Sequence, residues 1–304
     1  MRSRIASSLC GLLNLDKPAG ITSRAAVDRV ARPLRGVKVG HAGTLDPLAS
    51  GVLVVCVGAA TRLIEYVQNM PKTYRAVVRL GARSDTLDAD GQVTETEGPT
   101  PPGAAEVRAA LAAQVGTIAQ LPPAFSALKV AGRRAYDLAR AGAVVDLAPR
   151  SVRIDRIDVL GYAWPLLELE IECGSGTYIR SIARDVGEAL GCGGLVAALT
   201  RTRIGPFMQA EALDPMSLSA ATIPGLLRPA VEAVPDLPRM VLSAGQVEAV
   251  GRGQAIEGTG PDERGLPDGE IALIGPDGAL VAVAEVESAS RRVRPRRVLV
   301  QGVN

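Results

Sequence analysis

The stretch VGHAGTLDPLASGVLVVCVG, residues 39–58, joins a loop of polar and turn-forming residues to a run of Val and Leu. Its second half, GVLVVCV at residues 51–57, is continuously apolar and β-branched, which predicts a buried strand. Its first half holds His41, the one histidine of the chain, and Asp46 in an Asp-Pro pair. A loop next to a rigid strand can present a reactive carboxylate, but Asp-Pro is also common in turns. The local sequence leaves both roles open for Asp46.

The bulk composition limits the class of protein. The chain has 304 residues, 47% of them hydrophobic, enough for one large domain or two with a buried core. The net charge is only +2, so a nucleic-acid partner can be inferred from local clusters of Arg but not from the total. The longest apolar run, near residues 52–60, is too short to span a bilayer, and the N-terminus lacks a convincing signal-peptide cleavage site. We therefore expect a cytoplasmic protein without a membrane segment.

The cysteines argue against a metal site. None of the four belongs to a CxxC pair, and a single histidine leaves little material for a Cys/His zinc site. They are Cys10, Cys56, Cys173 and Cys192. We expect free thiols in a reducing compartment and no bound metal.

Helical and strand patterns follow one another along the first two thirds of the chain. Helices are predicted over residues 21–33, 60–69, 104–115 and 176–191. Strands are predicted over residues 51–57, 72–81, 166–173 and 199–207. We expect Thr61 to cap the second helix and Gly191 to cap the C-terminal end of the fourth.

The character of the chain changes near residues 234–237. Beyond that point, short β segments at residues 270–275, 279–287 and 296–301 are joined by Gly, Pro and Asp turns. This predicts a larger domain over residues 1–236 and a small β-rich domain over residues 237–304.

Two further side chains are candidates for a site. Arg180 follows the flexible CGSGTYI segment at the start of a predicted helix, where it could pair with a buried carboxylate and keep it ionised. The alternative is an ordinary surface arginine. Tyr74, in KTYRAVV, could stack on a nucleic-acid base or could simply be a strand aromatic.

The segment at about residues 122–150 is bounded by prolines and is basic, and we call it the arm. Its cations lie among Phe125 and Tyr136, a mixture that suits looped or single-stranded RNA. The basic residues of interest are Lys129, Arg133, Arg134 and Arg140. The alternative is a solvated charged face. Residues 291–298 hold five Arg, which predicts either a phosphate contact or a protected β edge.

Five sequence blocks together resemble one family. LNLDKPAGITS, GHAGTLDPLASGVL, KTYRAVVRLG with SDTLDADG, PPAFSALKVAGRRAYDLAR and GSGTYIRSIARDVGEALG occur in the order and spacing of the bacterial TruB-type tRNA pseudouridine synthases. The resemblance covers residues 12–207 firmly. The C-terminal part resembles the small PUA-type RNA-binding domain of that family more loosely.

The resemblance implies an α+β pseudouridine-synthase fold, with a central mixed, mainly antiparallel sheet flanked by helices and a PUA-like domain behind it. It implies an isomerase that converts uridine to pseudouridine at position 55, in the TΨC loop of tRNA. It also implies a monomer that recognises the T arm without a cofactor, a metal or a protein partner.

The resemblance further assigns roles to residues. Asp46 matches the catalytic aspartate and Arg180 its arginine partner. Tyr74 matches the tyrosine that stacks on the target base and is a candidate for removing the C5 proton. His41 matches a histidine that holds the flipped loop. Pocket-lining or RNA-contacting roles are implied for Lys17, Tyr178, Leu199 and the basic residues of the arm.

Two rival functions fit parts of this pattern. One is the RNA-guided type of pseudouridine synthase, which shares the catalytic block but works with partners. The other is a tRNA-folding chaperone that needs no chemistry. The basic arm within the catalytic domain and the compact C-terminal part favour the stand-alone enzyme over the first, and the intact Asp46, Tyr74 and Arg180 favour an enzyme over the second.

Overall fold

A computed structural model describes residues 9–125, 147–258, 268–287 and 292–300, and the backbone of residues 129–130 and 133–134. The α-helices are α1 (Ser23–Ala31), α2 (Ile64–Asn69), α3 (Ala104–Ala112), α4 (Ile179–Ala189), α5 (Ile223–Leu226) and α6 (Ala244–Gly251). The first nine strands are β1 (Gly11–Lys17), β2 (Val39–His41), β3 (Ser50–Val57), β4 (Lys72–Leu80), β5 (Ala82–Ser84), β6 (Val93–Glu95), β7 (Gly116–Gln120), β8 (Lys129–Val130) and β9 (Arg133–Arg134). The others are β10 (Arg150–Ala163), β11 (Leu166–Cys173), β12 (Gly194–Ile204), β13 (Phe207–Met208), β14 (Arg239–Val241), β15 (Ile256–Glu257), β16 (Gly269–Ile274), β17 (Leu280–Glu287) and β18 (Arg292–Val298).

The large sheet is mixed and mainly antiparallel, as predicted. Its strands run in the order β1-β3-β12-β4-β11-β10-β7, with β2 beside β3 and β13 beside β12. The pair β3 and β12 is parallel, and the other pairs in this sheet are antiparallel. The sheet brings together strands that are distant in sequence, because β12 lies between β3 and β4.

The predicted strand at residues 51–57 is confirmed as β3. Every residue from Gly51 to Val57 is buried. Leu53, Val55 and Val57 pack with α1 on one face, and the alternate residues pack into a second cluster on the other. A strand covered on both faces has no polar side to alternate with, which explains its continuous apolar run.

Strands β4 and β11 alternate instead. Their inward side chains pack with helices α3 and α4 in the largest core cluster. Most of their outward side chains are charged, as in the pair between Arg75 and Glu170. The alternation predicted for residues 166–173 therefore reflects one covered face and one solvated face.

Two predicted caps differ from the structure. The segment 58–69 is a 3-10 helix, Gly58–Leu63, followed by α2. Thr61 lies inside the 3-10 turn and its hydroxyl donates to the Gly58 carbonyl at 2.8 Å, so it is not the N-cap of α2. At the end of α4 the cap is Leu190, and Gly191 is the next residue, at a φ of +71°. The left-handed residue that ends this helix is thus one position beyond the cap.

The C-terminal strands form a five-stranded sheet in the order β14-β16-β17-β18-β15. The strand predicted over residues 296–301 was wrong in its limits, since β18 spans Arg292–Val298. Pairing with β17 sets this register and buries Val293. Arg294 and Arg296 project outward and form ion pairs with Glu287 and Glu285.

The C-terminal sheet packs against the turn and helix at residues 58–69. One core cluster contains Val52 and Leu63 together with Ala272 and Val283 of the C-terminal sheet. The Tyr66 hydroxyl donates to Glu270 at 2.7 Å. The domain division at residues 236 and 237 stays a prediction. No helix within the described ranges is long and apolar enough to cross a membrane.

Candidate active site

A pocket of about 300 Å³ opens near the loop that precedes β3, where separate parts of the chain meet. The loop at residues 43–46, the end of α2, the strands β4 and β12, and the segment 174–180 line it. The predicted site residues that share it are Asp46, Tyr74, Tyr178, Arg180 and Leu199. Residues separated by more than a hundred positions therefore contact one space.

The loop that carries Asp46 is held from both sides. The Ser23 hydroxyl donates to the Leu45 carbonyl at 2.9 Å and accepts the Leu45 N–H at 2.7 Å. On the other side of Asp46, the Pro47 carbonyl accepts the Gly20 N–H at 2.8 Å. These contacts fix the backbone around the carboxylate, so the loop is more than a connection between strands.

Asp46 forms an ion pair with Arg180. Nη2 of Arg180 lies 2.9 Å from Oδ2 of Asp46, and the side chains are 5% and 37% exposed, respectively. The arginine is therefore buried while the carboxylate faces the pocket. The buried guanidinium therefore orients the carboxylate toward the pocket.

A second carboxylate, Asp88, lies on the far side of the same guanidinium. Its Oδ2 is 3.4 Å from Nη1 of Arg180, and its side chain is 6% exposed. The Thr86 hydroxyl donates to Oδ1 of Asp88 at 2.6 Å, and the Thr86 carbonyl accepts from Nη1 of Arg180 at 2.7 Å. Burial raises the pKa of Asp88, and the contacts with Thr86 and Arg180 oppose that rise.

Asp88 was not predicted as a site residue. It lies in SDTLDADG, part of a block that resembles the family, and no local signal separates it from Asp85 or Asp90. Only the long-range contact with helix α4 gives it a place beside Asp46.

Gln120, at the end of β7, was also missed. Its side-chain amide donates to the Tyr178 carbonyl at 3.1 Å, and its carbonyl oxygen accepts the Tyr178 N–H at 2.8 Å. Tyr178 begins α4 without a side-chain cap of its own. Gln120 therefore fixes the start of this helix, and with it the position of Arg180.

Tyr74 lies on β4 and is 8% exposed. Burial raises the pKa of its hydroxyl, while the charge of Arg201 and a hydrogen bond with it lower that pKa. Arg201 was predicted only as part of a strand. Its side chain is 2% exposed and lines the pocket. A fully buried arginine in a strand cannot be recognised from local sequence.

The approach of β12 to β3 depends on Gly51. This residue has a φ of +99°, and a Cβ there would lie 2.2 Å from the Arg201 carbonyl. Only glycine allows this conformation and this contact. Gly51 therefore lets the strand that carries Arg201 lie beside the strand that follows Asp46.

His41 and Lys17 lie outside the lining of this pocket. His41 is half-buried on β2, opposite Val55. Lys17 is fully buried at the end of β1 and lines a neighbouring pocket of about 370 Å³. Its ammonium donates to the Pro18 and Ile21 carbonyls, and burial lowers its pKa to about 8. Their proposed RNA contacts stay predictions.

The arm is described only in part. Lys129, Arg133 and Arg134 belong to β8 and β9, which pair as a short antiparallel hairpin. The side chains of these residues, and Arg140 altogether, lie outside the described residues. The predicted RNA contacts of the arm therefore stay predictions.

The four cysteines are free, and Cys56, Cys173 and Cys192 are buried. In the part of the chain that the structure describes, no three His, Cys, Asp or Glu side chains come together as a metal ion would need.

Comparison with known proteins places the chain in a family. Residues 31–179 match the family model described as the N-terminal domain of the TruB family pseudouridylate synthases. Residues 180–229 match the model for the C-terminal domain of tRNA pseudouridylate synthase B. Both models describe enzymes that make pseudouridine. The chain belongs to the TruB family of pseudouridylate synthases.

Curated relatives match over most of their length. The chain is 40% identical to tRNA pseudouridine synthase B of Xanthomonas oryzae pv. oryzae, covering 100% of this chain and 98% of that protein. It is 48% identical to the protein of the same name from Cereibacter sphaeroides, covering 79% of this chain and 81% of that protein.

Solved structures share the fold. A Cbf5-Nop10-Gar1 complex matches with a TM-score of 0.70 at 25% identity, over 96% of this chain and 85% of that chain. A structure of an H/ACA RNP bound to a substrate RNA containing 2′-deoxyuridine matches with the same TM-score at 24% identity, over 98% of this chain and 87% of that chain. The predicted pseudouridine-synthase fold is confirmed, and the PUA-like character of the C-terminal sheet stays a prediction.

Proposed function

We propose that the protein is a tRNA pseudouridine synthase that converts uridine 55 in the TΨC loop of tRNA to pseudouridine, with Asp46 as the catalytic carboxylate. The observation that carries the proposal is the ion pair between Asp46 and the buried Arg180, in a pocket that also holds Tyr74. The family and the names of the curated relatives support tRNA as the substrate.

The reaction is an isomerisation. The uracil base leaves C1′ of the ribose and rejoins it through C5, so substrate and product contain the same atoms. Three first steps suit a charged carboxylate: attack at C1′, attack at C6 of the ring, or removal of the C2′ proton. Arg180 serves each of them, because it pairs with Asp46 and holds the carboxylate aimed into the pocket.

Access to the uridine requires that it leave the folded loop. Flipping a base out of its stack costs roughly a few kcal/mol. Stacking on the ring of Tyr74 would return about 1–3 kcal/mol. Phosphate contacts from the basic arm would supply further binding energy.

We further propose that the enzyme acts as a monomer in the cytoplasm, without a guide RNA or a protein partner. The identity of 40% to 48% with proteins named tRNA pseudouridine synthase B supports a stand-alone enzyme, since the chain is only 25% identical to its match in a Cbf5-Nop10-Gar1 complex.

The test uses the purified protein without added metal or cofactor. An unmodified tRNA transcript and a short hairpin copying its T arm are the substrates, and pseudouridine is mapped by chemical labelling and primer extension. Asp46→Asn is the test variant. Asp90→Asn is the matched control, because Asp90 is exposed and lies outside the pocket.

The expected result is one pseudouridine at the same loop position in both RNAs, present with Asp90→Asn and absent with Asp46→Asn. Binding without product in the wild type would contradict the stand-alone enzyme and favour a guided subunit or a chaperone. Full activity of Asp46→Asn would remove Asp46 from the chemistry.

A further inference from the structure

The pocket contains a second buried arginine that the proposed chemistry does not use. Arg201, on β12, is 2% exposed and lines the same pocket as Asp46 and Arg180. No carboxylate of the described residues forms an ion pair with it, whereas Arg180 has two. Burying an ion without a counter-ion costs several kcal/mol, so an arginine here needs a reason.

Two backbone carbonyls hold the guanidinium in one orientation. Nε donates to the Val52 carbonyl at 2.8 Å, at the start of β3. Nη2 donates to the Gly43 carbonyl at 3.1 Å, three residues before Asp46. The guanidinium is therefore fixed relative to the loop that carries the catalytic carboxylate.

The same guanidinium acts on the hydroxyl of Tyr74. Both side chains line the pocket, and the charge of Arg201 lowers the pKa of the Tyr74 hydroxyl against the rise that burial causes. Arg201 and Tyr74 also lie directly opposite each other on the paired strands β12 and β4. One side chain thus links the Asp46 loop to the aromatic residue on the neighbouring strand.

We infer that Arg201 is a positioning residue, which holds the hydroxyl of Tyr74 in register with the catalytic carboxylate. The inference rests on the proposed function, in which Tyr74 stacks on the target base. A shift of about 1 Å in a group that orients the substrate can cost roughly a hundredfold in rate. Arginine suits the role because its planar fork makes several fixed bonds at once, which a lysine ammonium cannot reproduce.

The first experiment compares Arg201→Lys and Arg201→Gln with Arg203→Lys. Arg203 lies on the same strand but pairs with Glu172 away from the pocket, so it controls for changes to β12. We expect Arg201→Lys to lower kcat by about 10- to 100-fold while KM for the T-arm hairpin changes by less than about twofold. Arg201→Gln should be slower still, because lysine restores a cation, and Arg203→Lys should match the wild type.

A double-mutant cycle separates a role through Tyr74 from general support of the strand. In a Tyr74→Phe background the hydroxyl is absent, so Arg201→Lys should cost less than about threefold in single-turnover rate. Equal losses in both backgrounds would overturn the inference, as would a wild-type rate for Arg201→Lys.

A spectroscopic measurement keeps the test valid where activity is too low or the variants are less stable. The chain has five tyrosines, so ¹³C-labelled tyrosine gives few resonances, and Tyr74→Phe assigns that of Tyr74. In a folded Arg201→Lys variant, the Tyr74 resonance should move while that of Tyr162 stays in place. An unmoved Tyr74 resonance would overturn the inference. These spectra need no catalysis, so they decide the role of Arg201 even if the wild type makes no pseudouridine and the proposed function fails.

Discussion

The two buried arginines of the pocket are satisfied in opposite ways. Arg180 lies between the carboxylates of Asp46 and Asp88. Arg201 donates to backbone carbonyls, and a second cation acted on by its charge is Lys72, which is 6% exposed. One wall therefore has an excess of negative charge and the other an excess of positive charge.

This difference separates two tasks. The wall with Arg180 holds a paired carboxylate that faces the pocket, which suits chemistry on the ribose or the base. Among the described residues, no carboxylate pairs with Arg201, and its charge acts on the hydroxyl of Tyr74 instead, which suits placement of the base. Variants on each wall, and one in the arm, can break or sharpen this comparison.

The largest effect is expected for Arg180→Lys. A point charge cannot bridge Asp46, Asp88 and the nearby carbonyls as the guanidinium does, so kcat should fall by about 10² to 10³. Affinity for tRNA should stay within about twofold, because Arg180 is buried and contributes little to RNA contact. Single-turnover rates and filter binding measure the two.

Arg184→Lys is the control for this variant. Arg184 lies one turn along α4 and pairs with Asp185. It should keep wild-type turnover. Normal turnover of Arg180→Lys would exclude Arg180 from the mechanism.

A smaller loss is expected for Asp88→Asn. The change removes the charge on the Nη1 side of Arg180, while the Thr86 and Phe125 carbonyls still hold the guanidinium. We expect kcat to fall about tenfold, equivalent to about 1.4 kcal/mol. The exposed Asp90→Asn should have no effect in the same assay. Equal turnover of the two variants would show that Asp88 does not support the Asp46 wall.

The arm should change affinity and not turnover. Replacing Arg133 and Arg134 by Gln is expected to reduce the slope of log K against log salt by about 1–2, since each phosphate contact contributes roughly 0.7–0.9. The single-turnover rate at saturating enzyme should stay near that of the wild type. An unchanged salt slope would show that these side chains do not contact phosphates.

The positive wall should be visible in the pH dependence of stability. Burial, and then the charge of Arg201, lower the pKa of Lys72 from 10.5 to about 8. Between these pH values the unfolded chain binds more protons than the folded protein, so the free energy of unfolding rises with pH. Below pH 8 lysine is protonated in both states, and this contribution becomes constant.

Between roughly pH 8 and pH 10, we expect the free energy of unfolding of the wild type to rise by up to about 3 kcal/mol more than that of Lys72→Met. Urea unfolding of the two proteins across this range measures it. Lys17 is present in both, so its own titration cancels in the difference. Parallel curves would show that Lys72 is not buried as a charged group.

Several elements could be predicted because a local sequence pattern records them. The apolar run of β3 and the alternation of β11 reflect how many faces of each strand are covered. Thr22 caps α1 by accepting the Ala25 N–H, and Thr is a residue type that favours this position. Errors arose where pairing set the limits, as in β18, whose register follows β17 and not its own apolar residues.

The sequence by itself determined the family, the main strands and helices, and Asp46, Tyr74 and Arg180 as candidates, since these depend on ordered motifs and short-range periodicity. Tertiary structure alone decided that Asp88, Gln120 and Arg201 join them. A buried polar side chain is stable only beside partners that satisfy it, and here those partners lie on other strands and helices. No local pattern records such a partnership, because it exists only after the chain has folded.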